Sequence, residues 1–267
     1  MNYTGGKYKL LNQIIPLFPT NINTFIDLFA GGFNVGININ ANTIIYNDID
    51  NHVVDLIKIF KETDVNILLN SIDNIIEQYN LSKQNKEGYL SLRNYYNNID
   101  NNPIILYVII CYSFNHQIRF NKKNKYNMPF GNRYFNQSLR NKFIKFVNTL
   151  HNKNIVFANN DFCNFDFSNM KDNDFIYIDP PYLNSVASYN ENNKWTQKHE
   201  ALLLDTLDCL NKNNIKFALS NNLKYKNTIL DKWKDKYNVY YIDADYKSCN
   251  YHKLNKDKDI EILVTNY

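Results

Sequence analysis

Glycine and proline, the residues that most often punctuate a chain, are sparse here: seven and six among 267 residues. No glycine- or serine-rich tract separates one stretch from another and no segment repeats, so a string of modules on flexible linkers is excluded. Alanine is scarce too, while Asn, Lys, Ile and Tyr are abundant in surface-type and core-type positions alike. That bias reads as AT-rich coding in a phage, a virus or a low-GC bacterium, and asparagine-rich stretches are therefore not taken as turns. The four cysteines, Cys111, Cys163, Cys209 and Cys249, are scattered without a CxxC pair. They indicate neither a zinc site nor a disulfide framework, and a reducing, cytoplasmic home is expected. No apolar run reaches the ~18 residues of a membrane helix, and the opening MNYTGGKYKLL is neither a signal nor a transit peptide. Charge of one sign is not in large excess. A net +4 and a pI of about 8.6 permit a polyanionic partner without demanding one.

What is present is enough apolar material, 44%, for a substantial core. Seven short runs rich in Ile, Val, Phe and Tyr predict strands at 23–27, 43–48, 154–158, 174–179, 215–220, 238–243 and 259–265. Helical spacing recurs at 200–210 and 226–233. Strands alternating with helices predict an α/β fold: a doubly wound, mostly parallel seven-stranded sheet with helices on both faces. The alternation breaks between 48 and 154. Helical patterns lie there at 52–62, 65–79, 87–99 and 103–114, followed by a polar, aromatic and basic stretch at 115–136. We read this as a helical insertion carrying a loop or hairpin. The expected division is 1–50 with 151–267 as one domain and 51–150 as the insertion.

Two places suggest chemistry. The first strand runs into Asp27-Leu28-Phe29-Ala30-Gly31-Gly32, then Gly36, a glycine-rich turn expected to open a helix. Such a turn lets the backbone approach a ligand at the carboxyl edge of a parallel sheet, although the spacing is not GxGxxG and a plain tight turn is the alternative. The second strand ends at Asp48, whose carboxylate suits a ribose diol; capping the next helix, by Asp48 or Asp50, is the alternative. Together they favour a nucleoside-containing cofactor. The sharper signal is the apolar strand that runs straight into Asp179-Pro180-Pro181-Tyr182. Two prolines fix the backbone and remove two N–H donors, leaving carbonyls free to face a ligand. Exocyclic amine chemistry needs this, because the N6 lone pair of adenine is delocalised into the ring. Hydrogen bonds from N6 to the Asp179 carboxylate and the Pro180 carbonyl draw the nitrogen towards a nucleophilic form, by positioning and electrostatics alone. Tyr182 offers a face for a base taken out of the duplex stack; a rigid turn is the alternative.

With these residues in place the chain resembles the Dam-type DNA adenine-N6 methyltransferases (D12 class, α-group), in pattern nearest the T-even bacteriophage form. The likeness runs nearly end to end. It includes Tyr3-Thr4-Gly5-Gly6-Lys7, the 25–32 and 47–49 segments, Ile118-Arg119-Phe120-Asn121, Pro129-Phe130-Gly131-Asn132-Arg133, the 179–182 motif and Ser220-Asn221. The resemblance implies a Rossmann-like fold, S-adenosylmethionine as methyl donor with S-adenosylhomocysteine as product, no metal, and GATC in double-stranded DNA as target. It implies cofactor contacts at Tyr3, Lys7, Asp27, Phe29, Gly31, Asp48, Asp161, Phe162 and Asp179, and catalytic roles for Asp179, Pro180, Pro181 and Tyr182.

For DNA it implies Arg133 as the main guanine reader, in keeping with arginine's bidentate fit to guanine O6 and N7. Arg119 is a neighbouring contact, and Phe114, Asn115 and Gln117 lie in the part that inserts near the extruded base. Asn115 and Gln117 stand where the phage pattern has other residues. Asn121 and Pro129 belong to the same stretch, and Lys7 reaches the outer base pair. A second basic loop, 247–258, offers either phosphate contacts or an exposed hairpin. His52, His151 and His199 are assigned no chemistry. Cytosine-C5 methylation is excluded because no cysteine follows a proline. Cytosine-N4 and protein-glutamine methyltransferases typically carry Ser or Asn in place of Asp179. An RNA adenine methyltransferase and a catalytically silent DNA-binding module stay open. No obligate protein partner and no membrane are expected; the chain reads as a monomer or weak dimer.

Overall fold

All seven apolar runs enter one sheet in the computed structural model, which describes residues 6–185, 195–243 and 260–267. The strands are β1 (Ile22–Asp27), β2 (Ala41–Asn47), β3 (Ile155–Ala158), β4 (Phe175–Ile178), β5 (Lys216–Asn222), β6 (Asn238–Asp243) and β7 (Ile260–Thr265). Their order is β3-β2-β1-β4-β5-β7-β6, with β7 antiparallel to both neighbours and all other pairs parallel. No strand end departs from the sequence expectation by more than two residues. β4 is buried at every position because helices cover both faces, so its sequence FIYI is continuously apolar rather than alternating. The chain reverses direction along the sheet between β1 and β4, and the carboxyl ends of these two strands form the crevice where ligands bind in such folds.

The two faces carry separate cores. Phe25, Ile44, Tyr46, Phe175, Tyr177 and Leu263 face α1 (Leu11–Ile14) and the helices between β2 and β3. Ile26, Ile176, Ile178, Phe217, Leu219 and Ile262 face α7 (Gln197–Lys212) and α8 (Thr228–Trp233). Between β2 and β3 lie α2 (Asn51–Glu62), α3 (Val65–Gln78), α4 (Lys86–Asn98), α5 (Pro103–Tyr112) and α6 (Gln137–His151). α5 is apolar all round and packs against α2, α3 and α4, which explains its lack of a polar face.

Three details differ from the sequence reading. The glycine-rich turn opens no α-helix: only thirteen residues separate β1 from β2, and Gly31 and Phe33 turn the chain at positive φ, leaving room for a single 3-10 turn at Gly36–Asn38. Helix α6 was not foreseen, although Leu139, Phe143, Val147 and Leu150 line one face of it. Asparagine proves structurally specific despite the compositional bias. Among the described residues, six of the nine non-glycine residues at positive φ are Asn, and Asn85, Asn102, Asn136 and Asn227 each cap a helix through the side chain.

Candidate active site

The carboxyl edge of the sheet collects acidic side chains around one buried ammonium. Asp179 follows directly on β4, outside the strand ladder, and the two prolines after it prevent the ladder from resuming. Lys7 Nζ donates to both Asp179 oxygens, at 2.7 and 2.8 Å, and lies 3.4 Å from Glu261 Oε1 on β7. The Tyr182 hydroxyl donates to Glu261 Oε1 at 2.6 Å and approaches Asp179 Oδ1 at 3.3 Å. Lys7 sits over the Tyr182 ring, 5.1 Å from its centre. Asn222 Nδ2 reaches the other Glu261 oxygen at 3.3 Å. Beneath them the Tyr177 and Ser220 hydroxyls share a hydrogen bond of 2.8 Å. Burial raises both Asp179 and Glu261 above the usual carboxylate range, and Lys7 opposes the rise in each.

One strand further, Asp27 at the end of β1 is fully enclosed and accepts from the Gly36 amide at 3.0 Å. Burial pushes it up to about 8; the Gly36 amide opposes this, and the nearby Asp179 and Asp48 carboxylates add to it. Asp48 accepts from the Gly31 amide at 2.8 Å and the Asp50 amide at 2.9 Å. It rises to about 6, chiefly by burial. The alternative role of helix cap falls to Asp50, which accepts from the His52 amide. With the Gly31, Asp50 and Ile49 amides acting on it, the Asp48 carboxylate keeps acceptor capacity for a hydroxyl donor. Asp161 caps the turn that carries Phe162. Phe29, Phe162 and Trp195 form an aromatic cluster, with ring centres 5.4–5.8 Å apart. Trp195 is fixed by Glu200, which Asn227 also binds.

This arrangement suits a cationic nucleoside. Asp27, Asp48, Asp179 and Glu261 gather at the strand ends with Lys7 the one cation hydrogen-bonded among them in the described residues, so a ligand bearing positive charge relieves their repulsion. A sulfonium with an α-ammonium meets that need, and the aromatic cluster meets an adenine ring. S-adenosylmethionine therefore fits the residues present, with Asp48 for the ribose.

The insertion brings some of its expected residues together where two segments adjoin, which form its lip. Ser113 bridges to Phe130, the Phe114 amide donates to the Pro129 carbonyl, and Gly131 lies against Ser113. Phe114, Asn115, Pro129 and Arg133 are thus neighbours along two adjoining segments. Phe114 is half exposed, and Asn115 and His116 both take positive φ. Arg133 is exposed and, with Lys83, Lys142, His116 and Tyr134, lines a cavity of about 250 Å³. Arg119 is turned inward onto Asn127, at 2.8 Å. Asn121 uses its side chain to fold the turn, accepting from the Lys123 and Lys125 amides. Gln117 holds the Tyr126 hydroxyl through its carbonyl. His52 stacks on Phe120 and pairs with Tyr96 and Asn124, joining the turn to α2 and α4.

Tyr3, the first part of the 3–7 motif, Cys249 and the 247–258 loop lie outside the described residues. Sequence reasoning missed Glu261, Trp195 and Glu200. Glu261 had a signal: it is the one charge inside the otherwise apolar run of β7. Trp195 had none, since the rings it joins, Phe29 and Phe162, are remote in sequence.

The family model described as D12 class N6 adenine-specific DNA methyltransferase matches residues 3–248. Type II methyltransferase M.FokI of Planomicrobium okeanokoites is 46% identical over 276 residues, covering all of this chain and 42% of that protein. Modification methylase StsI of Streptococcus sanguinis is 42% identical over 278 residues, again covering all of this chain and 42% of its own length. A DNA adenine methylase of Haemophilus influenzae is 30% identical over 194 residues, covering 68% of this chain and 63% of that enzyme. The chain thus spans about two fifths of the length of the first two relatives.

Proposed function

Because the chain belongs to the D12 class of N6 adenine-specific DNA methyltransferases, we propose that it methylates the N6 of a target adenine in double-stranded DNA at a short specific site, with GATC the first site to test. The observation that carries this is the Asp179-Pro180-Pro181-Tyr182 turn, released from the sheet ladder and set beside acidic strand ends suited to a cationic nucleoside. S-adenosylmethionine, when bound, supplies an electrophilic methyl group; Asp27, Phe29, Gly31, Asp48, Asp161, Phe162 and the Trp195 ring would hold it, with Lys7 and Tyr3 contributing from the N-terminal segment.

The chain's own residues do the rest. The target base leaves the stack, since an amine inside a duplex is out of reach. Asp179 and the Pro180 carbonyl accept the two N6 hydrogens, which localises the nitrogen lone pair and aims it at the methyl carbon. Asp179 also screens the positive charge that grows on N6, and the surplus proton leaves after transfer. Tyr182 packs against the base plane. The part formed by 1–50 and 151–267 carries this chemistry, and 51–150 reads the DNA. Arg133 faces guanine, Phe114 and Asn115 enter near the vacated position, and Arg119 and Asn121 shape the turn that presents them. Lys83 and Lys142 serve phosphates beside Arg133.

The test is transfer of a labelled methyl group to duplexes with and without GATC, followed by nucleoside analysis. N6-methyladenine confined to GATC duplexes is the expected result. N6-methyladenine elsewhere leaves the reaction intact and moves the specificity. Cofactor uptake without transfer to any duplex refutes the reading, in favour of an RNA substrate or a silent binding module.

A further inference from the structure

We infer that Glu261 is a positioning residue that takes Lys7 over from Asp179 when the target base enters, so that the Asp179 carboxylate is free to hold the amine. The inference rests on the reaction proposed above. It starts from a conflict within the site. Asp179 must accept from N6, yet both of its oxygens are already held by Lys7 at 2.7 and 2.8 Å. An ammonium left there competes for the same lone pairs. It also opposes the positive charge that N6 gains as the methyl group arrives.

Lys7 has no easy retreat to water. It is 3% exposed, and a buried ammonium without an anion is costly. Among the described residues a second anion lies within reach: Glu261 Oε1, 3.4 Å from Nζ, on a residue with no exposed side-chain surface. Only a short displacement separates the two partners, because Nζ already lies between them.

Glu261 is also held still, as an acceptor for this purpose must be. The Tyr182 hydroxyl donates to Oε1 at 2.6 Å and Asn222 reaches Oε2 at 3.3 Å, while β7 pairs with β5 and β6 on either side. The Tyr182 hydroxyl has one hydrogen. Its shorter contact is to Glu261 rather than to Asp179, at 3.3 Å, so Glu261 also draws that donor away from the carboxylate the amine requires. One residue thereby organises both side chains that compete for Asp179.

The test compares the wild-type chain, Glu261→Gln, Glu261→Asp and Lys7→Met. Gln keeps the shape and an acceptor for Tyr182 but removes the charge that would hold Lys7. The expected result for E261Q, with melting temperature confirming a folded chain, is a tenfold or larger fall in kcat with affinity for random duplex within twofold of wild type. A binding measurement without turnover gives a second readout. The wild-type chain should prefer a duplex with adenine at the target position over one with purine, which lacks the 6-amino group, and E261Q should lose that preference. E261D, which keeps the charge, should recover part of both. In the Lys7→Met background E261Q should add less than twofold, because Glu261 acts through Lys7. Near-wild-type kcat and adenine preference in E261Q, a folded E261D as poor as E261Q, or an undiminished E261Q effect without Lys7 would each overturn the inference while leaving the reaction standing. Absence of DNA methylation by the wild-type chain would overturn the functional reading, and this inference with it.

Discussion

Asp179 and Asp27 stand at the ends of neighbouring strands and differ in role, although both carboxylates are raised by burial. Asp179 is partly open to the crevice, and Asp179→Ala should remove methyl transfer by a factor of about 10² or more while duplex affinity stays near wild type; retained turnover would end the role given to this carboxylate. Asp27 is enclosed, and its proton has a thermodynamic signature. Its pKa is about 8 in the fold against an ordinary 3.8, so between these values the folded chain holds a proton that the unfolded chain has lost. Folding then takes up a proton, and stability falls as pH rises through this window. Asp27→Asn keeps an acceptor for the Gly36 amide and removes the ionisation. Its melting temperature should exceed that of the wild-type chain by several degrees at pH 7.5 and by little at pH 4.5, at about 2–4 °C per kcal/mol for a chain of this size. An equal difference at both pH values would show that Asp27 is not protonated in the fold. At this scale the sequence disclosed the residues next to motif boundaries, Asp27, Asp48 and Asp179, because each ends an apolar strand. It did not disclose Glu261 or Trp195. Their roles arise from contacts spanning long stretches of chain: Glu261 meets Tyr182 across 79 residues, and Trp195 meets Phe29 in the other half of the protein.

Elements were more legible than residues where burial sets the pattern. A strand covered on both faces must be continuously apolar, and β4 is, as are Phe217, Ala218 and Leu219 in β5; an amphipathic helix must repeat its apolar face, and α2 and α3 do. Legibility failed where local backbone chemistry decides. The turn after β1 depends on Gly31 and Phe33 at positive φ, and α8 begins at Thr228 rather than at 226 because Lys226 is left-handed and Asn227 caps the helix. The lip of the insertion is of this second kind. A methyl group added at Gly131 would lie 2.3 Å from the Ser113 carbonyl oxygen, a backbone atom that cannot swing aside. Gly131→Ala should therefore push the 129–133 segment off Ser113, costing about 1–3 kcal/mol. Discrimination between specific and random duplexes should collapse, while cofactor affinity, built on β1, β2 and β4, is kept. Calorimetry with cofactor and competition binding with duplexes check the two halves, and a matching loss of cofactor affinity would refute the separation of reading from chemistry.

For the whole molecule, a net charge of +4 is too small to hold DNA by general attraction, so the placement of cations matters more than their number. Lys83, Arg133 and Lys142 converge on one cavity at the N-terminus of α6, where Asn136 caps the helix and the first amides point outward. Lysine is a point charge, whereas arginine matches guanine bidentately, so the three cations should divide their work. Each phosphate contact contributes about 0.9 to the slope of log K against log salt. Lys83→Ala with Lys142→Ala should lower that slope by about 2 and weaken specific and random duplexes alike. Arg133→Ala should cost about 1–3 kcal/mol on the specific duplex and much less on random sequence, with the slope little changed. A salt titration of the variants on both duplexes separates the roles. If Arg133→Ala instead lowers the slope by about 1 and weakens both duplexes equally, Arg133 is a phosphate contact, and the reading of the target must lie with Phe114, Asn115 and the 115–127 turn.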